Sequence, residues 1–316
     1  MRKLTALLLA FLLMTGLVAA QESTPEVTPE FTPEATATVQ PIAEAGLYTV
    51  QMRHDGQVRV ISLYVSEGAL SAGDARPLII GLHGAYGTGV DFARYSTLVA
   101  LADREGLLLA FPDGLNTIWD DGRPNGPNPP VDDVGFIARM LANVARVAPL
   151  DAERVYALGY SMGGSMAVRL GCTLPGQIAG VVSVASTMPE YLRPVCDAAP
   201  AVPVMFIQGT DDRVLPYMGV RGTYLSFEAS REYWGAHNGC LVAGAQEALD
   251  DADRFDGTRI IRQGLNGCTD GAGVSMVGVF GGGHTVPGGQ NPLAIAAGLT
   301  SMDATAGELL WEFFGD

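Results

Sequence analysis

A serine set between two glycines, Gly159-Tyr160-Ser161-Met162-Gly163, is the stretch of this chain best suited to chemistry. The apolar run Arg154-Val155-Tyr156-Ala157-Leu158 leads into it, and Met166-Ala167-Val168-Arg169-Leu170 follows with a composition that favours helix. Strand, sharp turn and helix around Gly-x-Ser-x-Gly hold a serine hydroxyl exposed in a strained turn. The glycines let strand and helix approach without a Cβ clash. A serine hydroxyl attacks only when a base takes its proton, and the base needs a carboxylate to orient it. Where a serine sits in such a turn, the acid and then the histidine follow it along the chain, each after a strand. Of the 4 histidines, His54 and His83 precede Ser161. His237 reads as a helix end, whereas His284 sits in Gly281-Gly282-Gly283-His284-Thr285 after an apolar strand, and it is the expected base. The acid is Asp211 or Asp212, after the run that ends at Ile207, and spacing does not choose between them. An oxyanion formed in acyl transfer needs N–H donors. The expected ones are the backbone amides of Met162 and of Ala85, in His83-Gly84-Ala85-Tyr86-Gly87, with His83 supporting that loop.

These residues need strand ends to carry them. Leu47–Val50 and Val58–Val65 read as two antiparallel strands joined near Asp55-Gly56. Pro77–Leu82 and Leu107–Phe111 are continuous apolar runs, as expected for strands buried on both faces, and the stretch before Ser161, Gly180–Ala185, Val202–Ile207 and Val274–Phe280 read as further strands. Helices are predicted over Phe92–Glu105, from a cap at Asp132 or Asp133 to about Val147, after Ser161, and at the end, capped near Asp303. Strands alternating with helices predict an α/β protein with a mostly parallel central sheet and helices on both faces. The antiparallel hairpin at the sheet edge is consistent with an α/β-hydrolase fold.

Arg2 and Lys3 precede an apolar run from Leu4 to Val18, and Val18-Ala19-Ala20 ends it with small residues, the pattern of a cleaved secretory leader over 1–20. Repeated Thr-Pro-Glu over 21–45 reads as an extended acidic linker, and 46–316 as the catalytic domain. Removing Arg2 and Lys3 leaves 17 of the 19 basic residues against 34 acidic ones, a net charge of −17. That balance argues against nucleic acid and anionic membranes as partners. Cys172, Cys196, Cys240 and Cys268 lack the close pairing of a zinc site, and in an exported chain they read as two disulfides, with three pairings open. Neither a metal nor a cofactor is expected.

From about Tyr48 to Phe314 the chain resembles the secreted esterase family that includes feruloyl esterases and poly(3-hydroxybutyrate) depolymerases. The resemblance rests on Leu82-His83-Gly84, Phe111-Pro112-Asp113-Gly114 with Trp119, and Val131-Asp132-Asp133-Val134-Gly135-Phe136-Ile137. It continues through the serine turn, Gly209-Thr210-Asp211-Asp212 with Pro216-Tyr217, Trp234 with Asn238-Gly239-Cys240, and the His284 loop. The family's Gly-Thr-x-Asp implies Asp212 as the acid, and the resemblance implies the pairs Cys172–Cys196 and Cys240–Cys268. Gln208 stands where relatives usually carry histidine, and Val286 where an aromatic is common; both are expected near the acyl or leaving-group pocket. Trp119 and Tyr217 are further expected pocket residues, with core as the competing reading for Trp119, and Trp234 is expected in the core. The resemblance implies a secreted, monomeric serine esterase acting on a polymer-attached ester, with feruloyl or acetyl esters of cell-wall xylan first and polyhydroxyalkanoate second. A non-catalytic binding protein on the same fold and a peptidase are the alternatives.

Overall fold

A computed structural model describes residues 40–124, 126, 131–290 and 297–315; the expected leader and the linker up to residue 39 lie outside the described residues. In chain order the elements are β1 (Gly46–His54), β2 (Gln57–Val65), α1 (Glu67–Ser71), β3 (Arg76–Leu82), α2 (Gly89–Tyr95), α3 (Leu98–Glu105), β4 (Leu108–Pro112), α4 (Asp133–Val147) and β5 (Leu150–Tyr160). There follow α5 (Met162–Thr173), β6 (Gly180–Val184), α6 (Arg193–Cys196), β7 (Val204–Gly209), α7 (Phe227–His237), β8 (Val242–Ala248), β9 (Arg259–Asn266), β10 (Val274–Phe280) and α8 (Ala306–Phe314).

All ten strands form one sheet in the order β1-β2-β4-β3-β5-β6-β7-β10-β9-β8. The six from β4 to β10 are parallel, and an antiparallel pair flanks them at each edge. The β1–β2 hairpin closes on Asp55-Gly56, both at positive φ (47° and 74°), as a two-residue turn that follows the strands' own twist requires. Side chains of the central strands alternate between two buried layers. Leu78, Ile80 and Leu82 of β3 belong to the layer that also contains apolar residues of α4, α5 and α7 on one face, while Ile79 belongs to the layer with α2, α3 and α8 on the other. Burying one such aliphatic side chain contributes about 1.5–3 kcal/mol, so the doubly covered strands anchor the sheet.

Three elements differ from expectation. The helix expected over Phe92–Glu105 is two helices, because Thr97 takes a left-handed conformation (φ 63°) between them. The last helix is capped by Thr305 in a reciprocal capping box with Glu308, two residues beyond the expected Asp303. The β8–β9 hairpin was not expected from the sequence, since β8 is exposed at nearly every position and carries no apolar alternation. Asp132 caps α4 by accepting from the Gly135 N–H, as one of the two expected aspartates. Among the described residues no helix is long and apolar enough to cross a membrane.

Candidate active site

The serine turn is forced by how closely β5 and α5 approach. A Cβ on Gly159 would lie 1.9 Å from the Gly163 carbonyl oxygen, and one on Gly163 would lie 2.2 Å from that of Leu82. No side chain fits at either position. Ser161 between them has φ 56° and ψ −119°, a conformation that costs about 1–3 kcal/mol and is characteristic of functional turns. Its N–H is held by the Val184 carbonyl at the end of β6 (2.8 Å).

The loops after β7 and β10 converge on this serine. Ser161 Oγ and His284 Nε2 are 2.9 Å apart, and His284 Nδ1 and Asp212 Oδ2 2.8 Å. His284 and Asp212 are 6 % and 4 % exposed. Asp212 Oδ1 accepts from the backbone N–H groups of Val214 (2.8 Å) and Leu215 (2.9 Å), so its own turn holds one oxygen of the carboxylate. Asp211, the other sequence option, is exposed and hydrogen-bonds Thr210 (2.9 Å). Tyr160, assigned no role from sequence, donates its phenol to the His284 carbonyl (2.8 Å) and thereby ties the serine turn to the histidine loop.

The loop after β3 abuts the serine. A Cβ on Gly84 would come 3.5 Å from that of Ser161. Among the described residues the backbone N–H of Ala85 makes no hydrogen bond within the chain, and that of Met162 opens α5, where the first N–H groups of a helix have no acceptor within it. Buried His83 holds the loop. Its Nδ1–H donates to the Gly84 carbonyl (2.7 Å), and its Nε2 accepts from the Gly114 N–H (2.9 Å). Burial pushes its pKa below the ordinary 6.5, in keeping with the neutral ring. Below, the buried pair Arg59–Asp133 (2.5 Å) orders the loop after β4, where Asp133 also accepts from the Asp120 N–H (2.7 Å).

The expected pocket residues fare differently. Trp119 is fully buried, packs on His83 (ring centroids 4.9 Å) and donates its indole N–H to the His83 carbonyl (2.9 Å), so it supports the loop rather than meeting substrate directly. Gln208 is also fully buried. It stands behind Asp212, not in a pocket, because its position in β7 turns it toward the acid. Val286 lies in the core beside α8, and Trp234 is core as expected. Tyr217 stacks on Phe227 (4.6 Å) beside Phe280 and Arg231, in a cleft of about 90 Å³ between α7 and β9–β10. The disulfides are Cys172–Cys196 and Cys240–Cys268. One grouping has metal-ligand chemistry among the described residues, His54, Asp55 and Asp132 within 4.8 Å, at the β1–β2 turn.

Similarity to known proteins gives the family. The profile of the alpha/beta hydrolase fold family matches residues 77–201. NocK of Nocardia uniformis subsp. tsuyamanensis, a protein named as an esterase, is 30% identical over 296 residues, covering 87% of this chain and 84% of NocK. Feruloyl esterase B of Piromyces equi is 27% identical over 228 residues, 68% of this chain and 41% of that protein. The solved acetyl xylan esterase of Aspergillus awamori superposes with a TM-score of 0.59 at 15% identity, over 85% of this chain and 99% of its own, a likeness of fold. With a relative at this identity spanning most of both chains, the protein belongs to the α/β-hydrolase esterases that include feruloyl esterases and polyhydroxyalkanoate depolymerases, and it is a carboxylic-ester hydrolase.

Proposed function

We propose that Ser161, His284 and Asp212 form the catalytic triad of this esterase and that its substrates are feruloyl or acetyl esters attached to plant cell-wall polysaccharide. One observation carries the triad: hydroxyl, imidazole and carboxylate stand in series at 2.9 and 2.8 Å, on the turn or loops following three different strands. Ser161 Oγ attacks the ester carbonyl as His284 Nε2 takes its proton. The Met162 and Ala85 amides hold the resulting oxyanion; one such donor is worth about 10²–10³ in rate. The imidazolium then protonates the leaving alcohol, giving an acyl-enzyme. Water attacks next, passing its proton through Nε2 back to Ser161 as the acid leaves. Asp212 keeps the imidazole in the productive tautomer and balances its transient charge.

The substrate class is supported by relatives named as feruloyl esterases from several fungi and by a bifunctional acetylxylan esterase/xylanase. Export is supported by the leader-like Arg2-Lys3 and apolar run, and by the two disulfides. The linker then separates a catalytic domain over 46–316, which works as a monomer on a polymer. A second reading, cleavage of polyhydroxyalkanoate, draws on 32% identity over 92 residues with a poly(3-hydroxyoctanoate) depolymerase of Pseudomonas fluorescens. Acid release from methyl ferulate, acetylated xylan and a poly(3-hydroxybutyrate) suspension, with Ser161→Ala as control, tests both. Serine-dependent release of ferulate or acetate is expected, with the variant reduced by at least about 10³. Clearing of the polyester alone would replace the first reading by the second, and hydrolysis that survives Ser161→Ala would refute the triad.

A further inference from the structure

Gln208 is a buried polar side chain that the mechanism above leaves unused. It projects from β7, four residues before the acid, and is fully buried. Its one amide nitrogen has two partners: Asp212 Oδ2 at 3.0 Å and the Leu215 carbonyl at 2.7 Å. Both are acceptors, so the NH₂ must face them; turning the amide over would set three oxygens against each other. Its other end, Oε1, is buried with no partner among the described residues. The side chain thus forgoes one hydrogen bond while clasping the turn that carries the acid. A buried polar atom left unsatisfied in this way asks for an explanation outside stability.

We infer that Gln208 is a positioning residue that governs the acid: it fixes the rotation of the Asp212 carboxylate and tempers the charge that Asp212 presents to His284. The inference rests on the triad proposed above. Asp212 Oδ2 is the oxygen that pairs with His284 Nδ1, so His284 and Gln208 share one acceptor. With two backbone N–H groups on Oδ1, the buried carboxylate has four donors, and His284 is its only ion-pair partner among the described residues. The titratable groups facing His284 are Asp212, Ser161 and the ring of Tyr160, whose phenol is engaged by the His284 carbonyl. Each neutral donor on Oδ2 draws negative charge away from His284. The imidazolium formed as Ser161 attacks is then stable enough to form and acidic enough to protonate the leaving alcohol. Removing the donor strengthens the pull of Asp212 on the imidazolium and frees the carboxylate to rotate.

Gln208→Met keeps the length of the side chain and removes both the donor and the unpartnered oxygen. Gln208→Glu keeps the shape but donates only when protonated. With 4-nitrophenyl acetate as probe, Gln208→Met is expected to lower kcat about tenfold with KM within about twofold. The acid limb of its kcat/KM profile moves to higher pH, while its Tm equals or exceeds the parent's. Gln208→Glu is expected to lose kcat/KM progressively with rising pH over a range where the parent is flat, a readout that needs only enough fold to measure activity. Unchanged kcat and an unmoved acid limb in Gln208→Met would overturn the inference, as would a fall in Tm alone, the mark of a purely structural clasp. Loss of the triad reading is a separate result, seen as parent activity that Ser161→Ala does not abolish.

Discussion

His83 is a residue through which pH acts on the fold rather than on the chemistry. Its ring is buried, donates to the Gly84 carbonyl through Nδ1 and accepts the Gly114 N–H at Nε2, an arrangement only the neutral ring satisfies. Burial lowers its pKa from the ordinary 6.5. As pH falls below 6.5 the unfolded chain takes up a proton that the folded chain does not. Stability is therefore full above that value and is lost below it, by up to about 1.4 kcal/mol per pH unit until the folded ring titrates. Between pH 7 and 5 the urea midpoint of the parent is expected to fall more steeply than that of His83→Gln, which cannot titrate; equal slopes would remove His83 from this role. Ser161 and His284, which stand 2.9 Å apart, were legible because nucleophilic chemistry demands particular residue types at strand ends, in a fixed order; between Asp211 and Asp212 only the family resemblance chose. Gln208 was expected near the pocket, Trp119 was left between pocket and core, and Tyr160 was given no role of its own. Nothing in a side chain's identity tells whether an amide, an indole or a phenol faces a ligand or braces the group that does; the sheet decides that by direction.

The two disulfides tie different elements, and their removal is expected to separate stability from activity. Cys240–Cys268 joins the turn after α7 to the turn after β9, near the antiparallel edge of the sheet, and β6, β7 and β10 stand between β9 and the serine strand. Cys172–Cys196 joins the end of α5, whose first residue is Met162, to α6. The bridges span 24 and 28 residues, so either removal costs about 3–4 kcal/mol by the loop-entropy account. The double variant Cys240→Ala/Cys268→Ala is expected to keep kcat within about twofold at 25 °C, whereas Cys172→Ala/Cys196→Ala loses both urea stability and kcat. Equal effects on kcat would mean that α5 does not need its anchor. The parallel strands were readable because burial on both faces writes a near-continuous apolar run, broken in β6 and β10 only by Ser183 and Ser275. The edge hairpin β8–β9 was not, because an exposed strand of Ala, Gly, Gln and Glu has no period to read. The break between α2 and α3 rests on a single left-handed Thr97, which a helical pattern passes over.

At the scale of the whole molecule, the imbalance of 19 basic against 34 acidic residues acts on what approaches the site and not on how the chain folds. A net charge of −15 surrounds the protein with a potential that repels anions and leaves neutral esters unaffected. That potential reaches roughly 30 Å at 0.01 M salt and about 8 Å at 0.15 M, so its influence on encounter can be switched off without touching the triad. Two hydroxycinnamate esters with the same acyl group make the comparison, one with a neutral alcohol and one whose alcohol carries a carboxylate. For the neutral ester kcat/KM is expected to be flat across that range of salt. For the anionic ester kcat/KM is expected to rise at least about twofold, through KM and not kcat, because screening relieves repulsion during approach and leaves the acyl-transfer step alone. A salt-independent kcat/KM for both esters would mean that the acidic residues lie off the path to Ser161. A rise for the neutral ester would trace the effect to salt acting on the protein itself. The expected split would identify the charge as a filter that favours neutral acyl-polysaccharide over acidic fragments of the same polymer, a selectivity set by composition and independent of the contacts at the serine.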